Sequence, residues 1–405
     1  MEIVDTKVTS QGRYQKEGWV QWPGEPELSF QFARTLGGAQ EGASLISECF
    51  FAASCMTPGD TESWYREWQA LAQTSERRAV DAFERACFRT ASSNWLRAAN
   101  YYRSSEFYLG HDDLRRLDTF NSVERCSHRY LAGLTPAGEI IRIPYENGAH
   151  LDAYFIPCAG KEVRSPVVIA FGGLDEYKDE LLHEMPKHAL TRGMSLLLVD
   201  LPGQGATLRR QKIANRPDTE VPVGACVDYL LTRADVDPKK IGLYGASVGG
   251  VYAARAASFE KRIVAVVSDS VMFDMSSLFA GWLDAPNKLI WGHLKWVFGC
   301  ATLEDVVEKA KGFSLEGVID KITVPYLVLQ GTEDWLGLRT ATDTYDYAKA
   351  HGVKAELKLF DPDETGAAHC QVDNPTLGQE FICDWLATQL GIDQGAVRSR
   401  VQALA

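Results

Sequence analysis

The chain has 405 residues, 45% hydrophobic and 24% charged, and its 42 Lys plus Arg against 54 Asp plus Glu give a formal net charge of -12. This length exceeds one ordinary domain and the composition supplies a sizeable core, which excludes disorder and predicts one large domain with an appendage. The acidic balance, with no long basic run, excludes a nucleic-acid footprint.

Residues 1 to about 40 are weakly patterned and read as a packed arm, with Trp19, Trp22, Phe30 and Phe32 among turn residues. From about 42 to 132 the period is helical. Pro58-Gly59-Asp60-Thr61 breaks the chain and supplies a cap, after which Trp64, Trp68 and Leu71 recur on one helix face. Ala91, Trp95, Ala98 and Tyr102 repeat the pattern, and a third helix is expected over about 111 to 131. Such stripes make helix-helix core, and the segment 1–135 is expected to roof whatever lies beside it.

At Gly138 the period changes. Strands over 139–145 and 150–157, joined through Asn147-Gly148, predict a β-hairpin. Strands at 166–171, 194–200, 239–246 and 263–268 then alternate with helices near 178–191 and 219–233 and after Ser247, predicting a parallel sheet covered on both faces. An aromatic-rich stretch, 271–320, interrupts this series, with helical spacing from Lys288 to Phe298, and is expected to cap a pocket. Strands at 324–330 and 355–360 and helices at 339–350 and 376–390 complete a second domain, 136–405.

Nine scattered cysteines without a C-x-x-C pair indicate free thiols in a reducing compartment, not a disulfide framework or a zinc site. Met1 to Lys7 offers neither a basic leader nor an apolar signal core, and no run approaches the ~20 apolar residues of a membrane span. The expectation is a soluble cytoplasmic protein that binds neither nucleic acid nor membrane.

The chemistry centres on Gly245-Ala246-Ser247-Val248-Gly249, a Gly-x-Ser-x-Gly turn from strand to helix that exposes the serine hydroxyl at the sheet's carboxyl edge. A serine hydroxyl needs a base, and the base needs an orienting acid. Asp334 follows the strand ending at Gly331, and His369 lies in the loop after the next strand, in the chain order Ser, Asp, His. Glu333 is the weaker alternative for the acid. His183, His188 and the other histidines fall in helical or turn contexts and read as packing or surface groups. For the oxyanion, Gly172-Gly173 lets backbone N–H groups approach closely, which points to Gly173, or Leu174 beside it, together with Val248. No phosphate-cradling motif is present, and no metal or organic cofactor is implied.

Gly172-Gly173-Leu174-Asp175, Asp200-x-Pro202-Gly203-x-Gly205, Gly245 to Gly249, Gly331-Thr332-Glu333-Asp334 and His369 together resemble the α/β-hydrolases. Within them the chain is similar to the branch containing dihydroxypseudooxynicotine hydrolase, fungal heptaketide hydrolases and fermentation-respiration-switch-like esterases. Gly59-Asp60-Thr61-Glu62-Ser63-Trp64 and Asn100 to Tyr108 resemble that branch's helical domain. The resemblance implies an α/β-hydrolase fold with an N-terminal helical lid, a small-molecule substrate and a homodimer. It further implies acyl cleavage of a bulky aromatic or polyketide-like substrate, through a carbon–carbon bond of a β-diketone, or alternatively carboxylesterase, thioesterase or acyltransferase chemistry. A non-catalytic ligand receptor is the competing class. Expelling an enolate calls for a polar proton source, for which Asp175, Glu176, Asp274 and His293 are the candidates.

Overall fold

The structure is a computed structural model describing residues 21–158, 164–283 and 290–397. Trp19 and Lys288 fall outside these ranges. The helical segment contains α1 (Pro26–Gly37), α2 (Ile46–Cys55), α3 (Thr61–Glu84), α4 (Phe88–Glu106) and α5 (Leu114–Ala132). Asp60 caps α3 by accepting from Glu62 N–H, satisfying one of the donors left open at a helix start. Trp64 and Trp68, four residues apart, share the buried face; Trp68 stacks on Tyr101 at 5.7 Å and Trp64 Nε1 donates to Ser104 O at 2.7 Å. These rings are helix-helix core. The weakly patterned arm is itself helical in α1, whose Phe32 inserts between Trp22, Phe50 and Trp68.

A single eight-stranded sheet follows, in the order β1-β2-β4-β3-β5-β6-β7-β8. Its strands are β1 (Glu139–Pro144), β2 (His150–Ile156), β3 (Ser165–Phe171), β4 (Ser195–Val199), β5 (Val236–Ala246), β6 (Ala265–Asp269), β7 (Tyr326–Gly331) and β8 (Ala355–Phe360). The β1–β2 and β2–β4 pairs are antiparallel and every later pair is parallel. Asn147 and Gly148 adopt positive φ in the β1–β2 turn. Along β3, Val167, Ile169 and Phe171 join one apolar cluster while Val168 and Ala170 join the other, so both faces are sealed. Each such large side chain contributes roughly 1.5–3 kcal/mol by leaving water.

The connecting helices are α6 (Lys178–Glu184), α7 (Pro186–Thr191), α8 (Gly205–Arg209), α9 (Glu220–Leu231), α10 (Val248–Phe259), α11 (Met275–Ala280), α12 (Ile290–Phe298), α13 (Leu303–Ala310), α14 (Arg339–Ala350) and α15 (Pro375–Gln389). The helix expected over 178–191 is broken into α6 and α7. Pro186 has no N–H to donate and its ring clashes with the preceding turn, so the chain restarts there with proline in the first turn.

Ion pairs tie the helical segment to the sheet. Lys178, almost fully buried, places its Nζ 2.7 Å from Glu124 on α5, 3.0 Å from Asp179 and 3.1 Å from Asp200 at the end of β4. Arg209 pairs with Glu106. None of the helices described is long and apolar enough to cross a membrane.

Candidate active site

Ser247 sits between β5 and α10 with φ 55° and ψ -121°. A non-glycine residue held there stores about 1–3 kcal/mol of strain, which the surrounding packing must enforce. Two glycines make the turn sterically feasible: a Cβ on Gly245 would lie 2.1 Å from Gly249 O, and one on Gly249 would lie 2.3 Å from Gly172 O. Ser247 N–H donates to Asp269 O at 2.7 Å, fixing the turn to β6. Val248 begins α10, so its N–H has no intrahelical acceptor.

Asp334 and His369 are supplied by the loops after β7 and β8. His369 Nδ1 stands 2.9 Å from both Asp334 oxygens, and Asp334 Oδ1 also accepts Leu336 N–H at 2.8 Å. The histidine loop approaches this close because Gly331 has no Cβ, which would fall 2.1 Å from Ala367 O. Asp373 gathers the N–H groups of Gly366, Ala367 and Ala368, and Cys370 N–H donates to Ser270 Oγ. Burial opposes the charged form of His369, but the Asp334 carboxylate outweighs it and raises the imidazole above its usual value. Trp335 lies 4.8 Å from the His369 ring, centroid to centroid. Among the described residues Ser247 Oγ makes no hydrogen bond to His369; such bonds commonly tighten only when substrate binds.

In the loop after β3, side chains occupy most of the polar backbone. Gly173 N–H donates to Glu176 Oε2 at 3.2 Å, Gln204 Nε2 donates to the carbonyls of Gly172 and Gly173, and His293 Nε2 stands 3.3 Å from Leu174 O. Of the two alternatives in this loop, Gly173 N–H is thus already engaged, whereas Leu174 N–H has no partner among the described residues. A Cβ on Gly173 would lie 3.0 Å from Ser247 Cβ, so the loop and the nucleophile are in direct apposition.

Ser247, Val248, Leu174 and His369 open onto one cavity of about 1270 Å³. Its roof comes from α1 and the turn after it, including Phe30 and Arg34; Phe279, Trp282, Ile290 and Leu294 of the 271–320 stretch form an apolar side. Asp175 and Glu176 also line it. Asp274 and His293 do not. Asp274 instead caps α11, accepting from Ser277 N–H at 3.0 Å. His293 packs behind the loop, between Leu174 O and Arg116, and burial, assisted by Arg116, pushes it down to about 3.

Asp175 is locked between Arg34 (2.7 Å) and Arg103 (3.0 Å). Burial would raise its carboxyl, but these guanidiniums hold it well below the usual range. The same two arginines reach Glu180 at 2.6 and 2.8 Å. Burial, with Glu180 next in importance, pushes Glu176 up to about 7, and Glu184 is raised as well by burial and by Glu176. Glu176, Glu180 and Glu184 bring ligand oxygens within 4.8 Å of one another, but Arg34 and Arg103 already supply the positive charge there, as expected of an ion-pair network and not of a cation site.

Sequence reasoning gave Arg34 and Arg103 no site role and read His183 as a packing or surface group. His183 is a buried histidine lining the cavity, with both ring nitrogens unpartnered among the described residues, and burial together with Arg103 pushes it down to about 3. Arg103 lies within the Asn100 to Tyr108 stretch, but nothing local to it or to Arg34 and His183 points at the cavity. Trp335, beside Asp334 in sequence, could have been inferred from that adjacency.

The profile described as FrsA-like esterase matches residues 58–281. The chain is 35% identical to the hydrolyase poxO of Penicillium oxalicum, over 68% of this chain and 72% of that one. It is 30% identical to the 20-hydroxy-prefusarin hydrolase FUS2 of Gibberella moniliformis, over 74% and 81%, and 29% identical to hydrolase LUC6 of a Fusarium species, over 90% and 97%. Among solved structures, 2,6-dihydroxy-pseudo-oxynicotine hydrolase superposes with a TM-score of 0.74 at 24% identity, over 87% of this chain and 95% of that one. AbyA5 gives 0.67 at 16%, over 89% and 95%. These two structural likenesses speak to the fold. The family profile and the hydrolase relatives carry the assignment further: this chain is an enzyme of the FrsA-like esterase family, within the α/β-hydrolases.

Proposed function

We propose that this enzyme is a serine hydrolase in which Ser247 is the nucleophile, His369 the general base and Asp334 its orienting acid, and that it cleaves an acyl group from a bulky aromatic or polyketide-like substrate by carbon–carbon hydrolysis of a β-diketone. The observation that carries the reading is the His369–Asp334 contact at 2.9 Å on the same cavity as Ser247, whose backbone is held in a strained turn. Ser247 Oγ attacks the ketone carbonyl while His369 takes its proton. Val248 and Leu174 N–H groups stabilise the oxyanion, each such donor being worth about 10²–10³ in turnover. The bond to the neighbouring carbon breaks, its electron pair becomes an enolate, and water then releases the acid from the acyl-serine. A cavity of 1270 Å³ with an aromatic side suits a large, flat, partly apolar substrate. The polyketide-like substrate class draws on relatives such as the 20-hydroxy-prefusarin hydrolase.

Ester cleavage by the same residues is the second reading, favoured by the esterase profile. Wild type and Ser247→Ala are to be compared on an aryl 1,3-diketone and on the 4-nitrophenyl ester of the same acyl group, with products identified by mass spectrometry. Serine-dependent conversion of the diketone to acid plus ketone is expected. Cleavage of the ester alone would replace the carbon–carbon reading with the esterase one, and retention of wild-type turnover in Ser247→Ala would overturn the nucleophile assignment.

A further inference from the structure

Carbon–carbon hydrolysis has a requirement that ester hydrolysis lacks: the leaving group is a carbanion in its enolate form, and carbon must receive a proton. Four groups singled out from the sequence could supply one, and the structure separates them. Asp175 is ion-paired to both Arg34 and Arg103 and held ionised. Asp274 caps a helix and His293 supports the Leu174 carbonyl, and neither reaches the cavity. Glu176 lines the cavity.

Its position relative to the nucleophile is set by Gly173. Glu176 Oε2 accepts Gly173 N–H at 3.2 Å, and a Cβ on Gly173 would lie 3.6 Å from Ser247 Oγ. Glu176 thus shares the cavity with the reacting serine, with one carboxyl oxygen committed to the loop that packs against that serine. Carboxylate oxygens of Glu176, Glu180 and Glu184 lie within 4.8 Å of one another.

We propose that the Glu176 carboxyl group is the general acid that protonates the enolate carbon released by carbon–carbon cleavage, with Glu184 as the group that shares and restores its proton. The inference rests on the Ser247 reading and on its carbon–carbon branch. The charge inventory supports it. Asp175, Glu176, Glu180 and Glu184 face the guanidiniums of Arg34 and Arg103; Asp175 and Glu180 take the ion pairs, which among the described residues leaves Glu176 and Glu184 without a cation of their own. A buried Glu176 carboxylate beside the half-buried Glu184 and without a cation of its own would carry a large desolvation cost, which favours the protonated form. Tyr244 on β5 and Cys370 in the histidine loop also sense Glu176, and burial keeps both protonated.

The step balances. Ser247 Oγ bonds to the ketone carbon and its proton passes to His369. The carbon–carbon bond breaks, its electron pair stays on the departing carbon, and Glu176 gives that carbon a proton, releasing a ketone and leaving a carboxylate. The proton held by His369 is the equivalent that restores Glu176 through solvent or Glu184. His369 is then free to activate water against the acyl-serine, and the sum is diketone plus water to acid plus ketone.

The test is Glu176→Gln, which retains an oxygen to accept Gly173 N–H but cannot donate a carboxyl proton. Wild type and variant are measured on the aryl 1,3-diketone and on the 4-nitrophenyl ester of the same acyl group, whose leaving group needs no proton on carbon. The expected result is a fall of about 10²-fold or more in the diketone-to-ester ratio of kcat. The wild-type diketone rate should also decline as pH rises through about 7, a limb that the variant loses. Equal losses on both substrates would reduce Glu176 to a positioning role and overturn the proposal, as would no loss on either. Failure of wild type to cleave the diketone, with serine-dependent ester cleavage intact, would overturn both the carbon–carbon reading and the acid role while sparing the serine hydrolase reading.

Discussion

On the sheet side of the cavity, Ser247, Asp334 and His369 are held by backbone geometry: a strained turn, absent Cβ atoms at Gly245, Gly249 and Gly331, and N–H groups gathered by Asp373. On the helical side the same cavity is closed by charge. Arg34 from α1 and Arg103 from α4 reach across to Asp175 and Glu180, and Lys178 binds Glu124 and Asp200. The sheet side relies on local sterics, with His369 as its titrating group. The helical side depends on matching buried charges, so its cohesion depends on every partner and on protonation. One site thus combines a sterically held nucleophile with a roof held by ion pairs.

The sharpest break of this contrast lies on the sheet side. Asp334→Asn should lower turnover by about 10⁴-fold, because the imidazole loses the partner that fixes its tautomer and stabilises its charge. The base works in its neutral form, so wild-type activity falls as pH drops through the raised His369 value, and this acid limb should move to lower pH in the variant. Steady-state kinetics against pH check both, and circular dichroism should show the fold unchanged.

Next in size is Arg103→Met, which leaves Asp175 and Glu180 to share Arg34 alone in a buried setting and should destabilise the protein by about 3 kcal/mol in urea denaturation. A loss no greater than that of an exposed pair would erase the distinction between the two sides.

Glu176→Gln probes, through stability, the carboxyl group that lies beneath this roof in the loop after β3. Folded Glu176 keeps its proton up to about 7, against a usual value of 4.5. Its contribution is therefore fully present below about pH 4.5 and is lost as pH rises through 7, by about 3 kcal/mol at the conversion of 1.36 kcal/mol per unit. Glutamine is neutral throughout. The variant should match wild type near pH 4.5 and melt at a higher temperature than wild type near pH 8, as read by differential scanning calorimetry.

The smallest effect is expected behind the oxyanion loop. His293→Phe removes the contact to Leu174 O and should reduce kcat about tenfold with little change in KM, the size of one lost hydrogen bond. A larger rise in KM would mean that His293 governs substrate access.

Some of this was legible in the chain and some was not, for identifiable reasons. The Gly245 to Gly249 turn, the Asp334 loop and the His369 loop each follow a short apolar strand, and alternation of strands with helices puts successive strand ends on one edge. Asp60 as a cap and Asn147-Gly148 as a turn are equally local. The split at Pro186 was also local and was overlooked within an otherwise continuous apolar pattern. Asp274 and His293 looked like pocket residues because they lie in the aromatic stretch, yet only their packing decides which way each is used.

The strands, the sharp serine turn and the residue types at the strand ends are legible along the chain, because backbone conformation and apolar periodicity are set by near neighbours. That α1 roofs the cavity, that Arg34 and Arg103 neutralise Asp175 and Glu180, and that Glu176 engages the Gly173 amide while Leu174 N–H stays open among the described residues are settled by folding. Those choices depend on distance and desolvation between segments far apart in the chain, and a charge acquires its protonation state only when its surroundings are assembled.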